Sequence, residues 1–245
     1  MLPIIDLGPL SLPVPPLVLL LGFWLASFIA EKQEEKTGGD PSILFKIIWT
    51  AIVAGLLGAR LSFITRNLSA FQGQWISVFS LNPGLMDPAG GILIALTAGY
   101  FVSVRNHYAK YSLFDKLVPF FALLAPAIYL SNYASGAGYG TVTNLPWGIE
   151  IWGARRHPVQ LYYFLSSLVV LYYLIFRTRT TSYPIGTKML LFVIYTSGYL
   201  TLLSAFQDPG GLLISGFRIF QLLYWGIFTA SILIYNKQNR GSSCN

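Results

Sequence analysis

Charged residues are scarce in this chain, and so is cysteine. Only 10% of its 245 residues are Asp, Glu, Lys or Arg, whereas a soluble globular domain carries about 25%. Because 54% of the residues are hydrophobic, an ordinary soluble protein is excluded and a lipid bilayer is the expected solvent. The single cysteine, Cys244, lies in the polar tail 236–245. An intrachain disulfide framework is therefore excluded, and no metal site is indicated.

Three further absences exclude classes of function. No basic stripe with interleaved aromatic residues is present on a polar segment, which argues against nucleic-acid binding despite the net charge of +7. No apolar run carries a series of acidic residues, which argues against an ion-coupled transporter. The first apolar run has no basic leader and is followed by Glu31–Lys36, so it does not resemble a cleavable signal peptide.

What the sequence does contain is a succession of apolar runs, most of them near the ~20 residues needed to cross a membrane. The third run is short enough to be re-entrant or to begin a few residues earlier. No internal repeat or low-complexity linker divides the chain. We therefore predict an all-α membrane protein, with residues 1–245 forming one domain of seven transmembrane helices. The predicted spans are Val14–Ala30, Ile43–Ile64, Gly90–Val104, Leu117–Tyr133, Pro158–Phe176, Met189–Phe206 and Ile219–Tyr235.

The distribution of Lys and Arg predicts the orientation. One alternate set of connections carries eleven of the sixteen basic residues. The other set carries Arg66, Arg155, Arg156 and Arg218, while Arg60 lies within the second span. Because Lys and Arg are enriched on the cytoplasmic side, the N-terminus is predicted outside and the C-terminus in the cytoplasm. Three polar segments are then predicted as solvated inner loops: Glu31–Pro41, Arg105–Lys116 and Arg177–Lys188.

The connection 136–158 is the most informative segment of the chain. It combines glycines, Leu145-Pro146-Trp147, a second tryptophan, a double arginine and a histidine between two apolar runs. A simple tether needs only a few polar residues, so this composition predicts a site. The predicted topology places further positions of interest in the same outer leaflet: Arg60, Gly90, Gly91, Asn132 and Gln221.

These residues resemble the prolipoprotein diacylglyceryl transferase family over about residues 58 to 221, most of the chain. The most specific match is Arg156–Tyr162 (RHPVQLY), with Leu145–Trp147 (LPW) upstream. The other matching positions are Gly58–Leu61, Gly90, Gly91, Asn132, Gly136, Gly140 and Gln221.

The chain departs from the family pattern at several positions. Asp87-Pro88-Ala89 precedes Gly90-Gly91, where the family has a histidine before the two glycines. Tyr129 and Ala137 stand where the family has an arginine and an acid. Thr201 is our assignment for a further family arginine in the sixth span. These departures keep a second interpretation open, in which the protein is a non-catalytic relative that binds lipid or a lipoprotein precursor, or is a subunit of a membrane complex.

The resemblance implies an enzyme that moves a diacylglyceryl group from phosphatidylglycerol to the lipobox cysteine thiol of a prolipoprotein. It implies no metal or organic cofactor. The implied partners are phosphatidylglycerol, or a similar anionic lipid, and the prolipoprotein signal peptide. The implied location is the bacterial inner membrane, with the site facing the outer leaflet.

In an active enzyme, His157 and Arg60 are the predicted catalytic residues. Arg60 with Arg156 or Arg218 would hold the lipid phosphate, and His157 or an outer carboxylate would help to deprotonate the thiol. Further predicted lipid-binding positions are Asn132, Gln160, Gln221, Gly90, Gly91, Gly136 and Gly140.

Each of these residues also has a structural interpretation. His157 could tie its loop to the start of a helix, with Pro158 at the first helical position. Arg60 could be an arginine near the interface, and its partner could be a phosphate, Asp87, Glu150 or Asp208. The amides of Asn132, Gln160 and Gln221 could join helices. The glycines could form a tight loop, and Arg155, Arg156, Trp147 and Trp152 could contact lipid headgroups.

Overall fold

The computed structural model describes residues 4–8, 10–73, 77, 85–106, 110–177, 183–208, 213–214 and 217–242. Cys244 and His107, a histidine of the second predicted inner loop, lie outside the described residues. The helices are α1 Val14–Lys36, α2 Pro41–Arg66, α3 Pro88–Arg105, α4 Lys110–Ser135, α5 Val159–Tyr172, α6 Thr187–Leu203 and α7 Ile219–Ser242. A π-helical turn Tyr173–Arg177 follows α5, and 3₁₀ turns are formed by Leu68–Phe71 and Ser204–Phe206.

Short strands pair in three antiparallel hairpins. They are β1 Ile4–Leu7 with β2 Leu10–Pro13, β3 Ile149–Ile151 with β4 Ala154–Arg156, and β5 Leu213–Ile214 with β6 Phe217–Arg218. All three lie between or before the helices, so none of them changes the helical class of the protein.

Within the described ranges, seven helices are long and apolar enough to cross a membrane. This confirms the predicted all-α class with seven spans, and the chain is a multi-pass membrane protein. Large apolar side chains are widely exposed; in α1, for example, Leu20, Leu21 and Trp24 are 66%, 67% and 62% exposed. A soluble monomer does not present so much apolar surface to water, whereas a lipid-facing helix does.

Several helices are longer than their apolar runs. Helix α1 continues to Lys36 instead of ending at Ala30, so most of the predicted loop Glu31–Pro41 is helical. Glu, Lys and Gln are good helix formers, and Lys32 pairs with Glu35 at 2.8 Å on the exposed face. Helix α3 begins at Pro88, a few residues before the apolar run, as the sequence had allowed.

Aspartates fix the starts of three helices. Asp40 and Asp87 each precede a proline, and their carboxylates accept the backbone N–H groups of Ser42 (2.8 Å) and Ala89 (3.2 Å). This is the usual N-cap arrangement with proline in the first turn. Asp115 does the same for a different helix, because it accepts the N–H groups of Gly186 (2.6 Å) and Met189 (2.9 Å) at the start of α6.

The helices form two compact units. The first comprises Met1–Ala30 and Phe114–Asn245. Its buried apolar cluster joins α4, α5 with its π-helical turn, and α6 through Val118, Ala122, Val170, Leu174 and Leu191. This unit contains the whole connection 136–158.

The second unit, Glu31–Leu113, is built on the packing of α2 against α3. Small residues meet at this contact. A Cβ atom added at Gly91 would lie 2.8 Å from the Ala59 Cβ and 2.9 Å from the Gly55 carbonyl oxygen. Membrane helices commonly approach each other through such small-residue faces. Gly91 therefore has a packing role in this unit.

Replacement of Gly91 by alanine is expected to destabilise the protein by about 1–3 kcal/mol, the usual range for overpacking. The reason is that the new methyl group has no room against Ala59 and the Gly55 backbone. Unfolding in mixed detergent micelles measures the change. Gly226→Ala in α7 is the matched control, since nothing lies within 4 Å of a Cβ there. Equal stability of the two variants would contradict the packing role.

Candidate functional site

The connection 136–158 folds as a small layer of extended segments. Strands β3 and β4 form a hairpin in which Ile149 pairs with Arg156 and Ile151 with Ala154. On its other side β4 pairs with Val142, and Thr143 N–H donates to the Arg155 carbonyl at 2.9 Å. The segment is therefore ordered by backbone pairing.

Backbone bonds attach this layer to the end of α6. The N–H of Thr141 donates to the Phe206 carbonyl at 2.8 Å, and the N–H of Asp208 donates to the Tyr139 carbonyl at 3.1 Å. Gly140 forms an isolated bridge with Gln207. We call residues 204–208 the α6 end segment. It holds one margin of the layer in place.

The predicted glycines lie where the backbone needs them. Gly136 and Gly138 have φ of 76° and 65°, in the left-handed region that favours glycine. Gly140 is buried against its neighbour instead, because a Cβ there would lie 2.5 Å from the His157 carbonyl oxygen and 2.6 Å from the His157 Cβ. The predicted tight loop is present. Lipid binding by these glycines stays a prediction.

Arg156 fastens the layer to the α6 end segment. Its guanidinium donates to an Asp208 carboxylate oxygen at 2.6 Å and to the Gly140 carbonyl at 3.3 Å. It also lies over the Tyr139 ring, 4.8 Å from the centroid. The Arg156 side chain is only 17% exposed, so the charge is compensated within the fold. Its Nε is buried and has no hydrogen-bond partner in the described part of the chain.

His157 lies beside Arg156 and contacts two aromatic residues, Tyr162 and Phe206. Its Nδ1 is 3.3 Å from the Tyr162 hydroxyl, and its ring centroid is 5.2 Å from that of Phe206. The same hydroxyl accepts a hydrogen bond from the Trp147 indole N–H at 2.8 Å. The imidazole is half-buried. Sequence reasoning had named His157, but it did not identify Tyr162 and Phe206 as its neighbours.

Gln160 and Asn132 behave differently from each other. Gln160 is 2% exposed, and its amide donates to the Ala137 carbonyl at 2.8 Å, so it ties α5 to the connection. Its Oε1 has no partner among the described residues. Asn132 is half-buried near the end of α4, and its backbone carbonyl accepts from the Ser135 hydroxyl at 3.1 Å.

The two candidate residues at the start of α7 reach α6. Arg218 donates to the Ser204 carbonyl, within the α6 end segment. Gln221 donates to the Thr201 carbonyl one turn earlier, at 3.5 Å. The predicted role of Gln221 in joining helices therefore has a contact in the structure. Arg218 and His157 both attach to the 3₁₀ turn Ser204–Phe206.

Sequence reasoning missed the α6 end segment as an organising element. It contacts Arg156 through Asp208, His157 through Phe206 and Arg218 through Ser204. Asp208 had been named only as one possible partner of Arg60. The signal that could have found the segment is the Gln207-Asp208-Pro209 sequence, which places two polar residues directly after an apolar run.

Arg60, Gly90 and Gly91 lie in the second unit. The Arg60 guanidinium donates to the carbonyls of Leu85 (2.7 Å) and Ser77 (2.5 Å), and it lies 5.6 Å from the Phe71 ring centroid. Backbone carbonyls are therefore its partners, which the sequence had not suggested. Gly90 faces the Ser62 side chain, as Gly91 faces Ala59.

Asp87 is the centre of a small polar network in the same unit. Its carboxylate accepts from the Ser62 hydroxyl at 2.5 Å and pairs with Arg66 at 3.2 Å. The Ser62 hydrogen bond, assisted by the Arg66 charge, holds the pKa of this carboxyl below its usual value. Asp87 is therefore a poor proton acceptor at neutral pH.

Comparison with known proteins identifies the family. The sequence profile of prolipoprotein diacylglyceryl transferase matches residues 3–236. The chain belongs to the prolipoprotein diacylglyceryl transferase family. It is 28% identical to the phosphatidylglycerol–prolipoprotein diacylglyceryl transferase of Geobacter sulfurreducens, over 95% of this chain and 94% of that protein. It is 27% identical to the enzyme of the same name from Photobacterium profundum, over 84% and 80% of the two chains.

The departures from the family pattern are occupied by uncharged residues with local partners. Tyr129, at the position assigned to a family arginine, stacks on Tyr163 with ring centroids 5.1 Å apart, and its hydroxyl lies 3.2 Å from that of Tyr199. Thr201 donates to the Ser197 carbonyl of its own helix at 2.8 Å. The Ala137 carbonyl accepts from Gln160 at 2.8 Å, and its N–H donates to the Ser135 hydroxyl at 3.3 Å. The basic side chains that contact the α6 end segment are Arg156 and Arg218.

Removal of the Asp208 carboxylate should destabilise the first unit. Asp208→Ala leaves a mostly buried guanidinium without its charged acceptor, and we expect a loss of about 1.5–3 kcal/mol. Thermal unfolding in detergent measures this. The matched control is Glu35→Ala, which breaks the exposed pair with Lys32 and should leave the unfolding temperature nearly unchanged, because exposed ion pairs contribute little to stability. A loss for Asp208→Ala no greater than for the control would mean that the pair does not fasten the connection.

Proposed function

We propose that this protein transfers a diacylglyceryl group from phosphatidylglycerol to the cysteine thiol of a prolipoprotein, at the outer leaflet of the bacterial inner membrane. Membership of the family supports this activity. The observation that carries it is the attachment of an imidazole and a guanidinium to one turn, since His157 packs on Phe206 and Arg218 bonds to Ser204.

The reaction places simple demands on such a site. The cysteine sulfur attacks the glycerol carbon that carries the phosphate ester, so a C–S bond forms and a C–O bond breaks. The electron pair of the C–O bond stays on the departing glycerol phosphate, and the thiol proton is lost. Catalysis then needs hydrogen-bond donors for the developing phosphate charge and conditions in which a thiol of pKa ~8.5 becomes a thiolate.

Arg218 and Arg156 are the proposed phosphate-binding residues of the first unit. A guanidinium has five N–H donors, so the bonds from Arg218 to Ser204 and from Arg156 to Asp208 and Gly140 leave others for a ligand. Gln160, Gln221, Asn132, Gly136 and Gly140 are proposed to line the lipid site beside them. Arg60, Gly90 and Gly91, which lie in the second unit, are proposed to bind lipid within that unit.

His157 is the proposed proton-bearing group. The outer carboxylates suit this task less well, because Asp208 is paired with Arg156 and Asp87 has a lowered pKa. An imidazole with a usual pKa of about 6.5 can donate to a phosphate oxygen or exchange a proton near neutral pH. His157 is therefore the residue proposed either to donate a hydrogen bond to the phosphate or to accept the thiol proton.

The proposed orientation can be tested by labelling. Trp152, at the tip of the β3–β4 hairpin, is 75% exposed, so a cysteine there is accessible to reagents. We expect Trp152→Cys, made together with Cys244→Ser, to react with a membrane-impermeant maleimide in intact cells with a permeable outer barrier. Cys244 in the otherwise native protein should not react with this maleimide until the membrane is permeabilised. The reverse pattern would place the connection 136–158 in the cytoplasm.

The activity is tested with purified protein, phosphatidylglycerol and a peptide that carries a lipobox cysteine. We expect a thioether product, detected by mass spectrometry, and a fall of about 10²–10³ in rate for Arg218→Ala, as for loss of one donor to a developing anion. Arg155→Ala is the matched control, because this neighbouring arginine is exposed on β4. Its rate should remain close to that of the native protein.

A second candidate function has its own support. Arg60, Arg156 and Arg218 each bond to acceptors of the protein itself, and uncharged residues occupy several family positions. This arrangement would suit a relative that binds an anionic lipid or a lipoprotein precursor without turnover. Absence of the thioether, under conditions in which a full-motif relative works, rejects the transferase and leaves this second function. Saturable binding of phosphatidylglycerol would then support it.

A further inference from the structure

The Trp147 indole, the Tyr162 hydroxyl and the His157 imidazole form a series of hydrogen-bond contacts. We propose that Trp147 and Tyr162 are positioning residues that keep the proton of the neutral imidazole on Nε2 of His157, so that His157 acts as a hydrogen-bond donor to a phosphate oxygen and not as the acceptor of the thiol proton. This inference rests on the proposed function and assigns one of the two roles left open there.

The first step is the direction of the Trp147 bond. An indole N–H can only donate, and it lies 2.8 Å from the Tyr162 hydroxyl oxygen. The Tyr162 oxygen therefore accepts. Its own hydrogen remains available for a second partner.

The second step is the partner of that hydrogen. His157 Nδ1 lies 3.3 Å from the Tyr162 oxygen and is the other polar atom bonded to it among the described residues. If Tyr162 donates to Nδ1, the Trp147 N–H, the Tyr162 O–H and Nδ1 are all paired, and the Nε2–H group remains for a ligand. If Nδ1 donated instead, the Tyr162 oxygen would accept twice and its hydrogen would have no acceptor in the described part of the chain. That direction would leave both the Tyr162 O–H donor and the Nε2 acceptor unpaired among the described residues, so donation from Tyr162 to Nδ1 is favoured.

The third step follows from the chemistry of imidazole. A neutral ring has one N–H group, so an accepting Nδ1 leaves the hydrogen on Nε2. An Nε2–H can donate to an anionic oxygen, but it cannot receive a proton from a thiol. The thiol proton would then pass to water at the membrane boundary, and the departing phosphate would receive a hydrogen bond from His157.

The surroundings of His157 keep the ring in this position. Its backbone N–H donates to the Thr141 carbonyl at 3.0 Å, and its carbonyl accepts from Gly140 at 3.1 Å. The ring packs against Phe206 at 5.2 Å and Tyr162 at 6.1 Å between centroids. Since both backbone and ring are held, the hydrogen-bond direction can be maintained through the reaction.

Nitrogen NMR tests the proton position directly. The chain has two histidines, so His107→Gln leaves only the signals of His157 in ¹⁵N-histidine-labelled protein. At a pH well above the usual histidine pKa of about 6.5, we expect Nε2 to be the protonated nitrogen and Nδ1 to show the shift of a hydrogen-bond acceptor. Tyr162→Phe should return the Nδ1 shift to that of a free imidazole. A protonated Nδ1 in the protein that retains Tyr162 would overturn the proposal.

Trp147 has a matched control in the same connection. Trp147→Phe should weaken the Nδ1 hydrogen bond, because Tyr162 loses the donor that orients its hydroxyl. Trp152→Phe replaces the exposed tryptophan at the hairpin tip and should leave the Nδ1 shift unchanged. Equal shifts for these two variants would mean that Trp147 does not position the hydroxyl, and would overturn its assigned role.

The role in the reaction is tested by conservative replacement. Gln carries its amide nitrogen near the place of Nε2, whereas Asn carries it near Nδ1. We expect His157→Gln to keep the rate within about tenfold, and His157→Asn to lose about 10²–10³, as for removal of a donor to the anion. Equal losses in both variants would indicate a base and overturn the proposal.

If the native protein forms no thioether, a lipid titration followed by nitrogen NMR still tests this inference. The proposed transferase function would then fail, and the Nε2 signal would decide the present inference alone. We expect phosphatidylglycerol in the micelles to shift the Nε2 resonance, and diacylglycerol, which lacks the phosphate, to leave it unchanged. No shift with phosphatidylglycerol would overturn donation to phosphate.

Discussion

The ion pair between Arg156 and Asp208 is the contact on which the site depends. A connection of more than twenty residues at a membrane boundary must pair its backbone groups, because they are not all accessible to water. Hydrogen bonds between residues 139–141 and 206–208 do part of this, and the 2.6 Å pair joins the same two segments through side chains. Because Arg156 immediately precedes His157, the pair also places the imidazole against Phe206.

The α6 end segment explains how separate parts of the sequence reach one place. Ser204 receives Arg218 from the start of α7, Phe206 receives His157 from the connection, and Asp208 receives Arg156. Each contact uses a different kind of group, a backbone carbonyl, a ring and a carboxylate. A short turn can therefore contact two cations and an imidazole, and the Asp208 carboxylate compensates the charge of the mostly buried Arg156.

Much of the fold could be predicted from hydropathy, but the contacts within the site could not. The apolar runs located all seven helices because membrane spans are selected for length and apolarity. They predicted the end of α1 at Ala30, but the helix continues to Lys36, because hydropathy does not measure the helix propensity of Glu31–Lys36. Gly136 and Gly138 were read correctly as a tight loop because positive φ has a residue signature. The Arg156–Asp208 ion pair has no such signature in the sequence, because tertiary packing brings together two residues that are far apart in the chain.

Tyr129, which stands at one of the departed family positions, and its neighbours Tyr163 and Tyr199 give this part of the first unit a neutral character. Tyr129, Tyr163 and Tyr199 pair among themselves through stacking and hydroxyl contacts, so this part of the first unit needs no counterion. An arginine at Tyr129 would require an acid or a phosphate inside the bundle. With neutral residues there, Arg156 and Arg218 are cationic groups at the α6 end segment, which also contacts His157. An anionic lipid bound by the first unit is therefore expected beside His157 and not deeper between the helices.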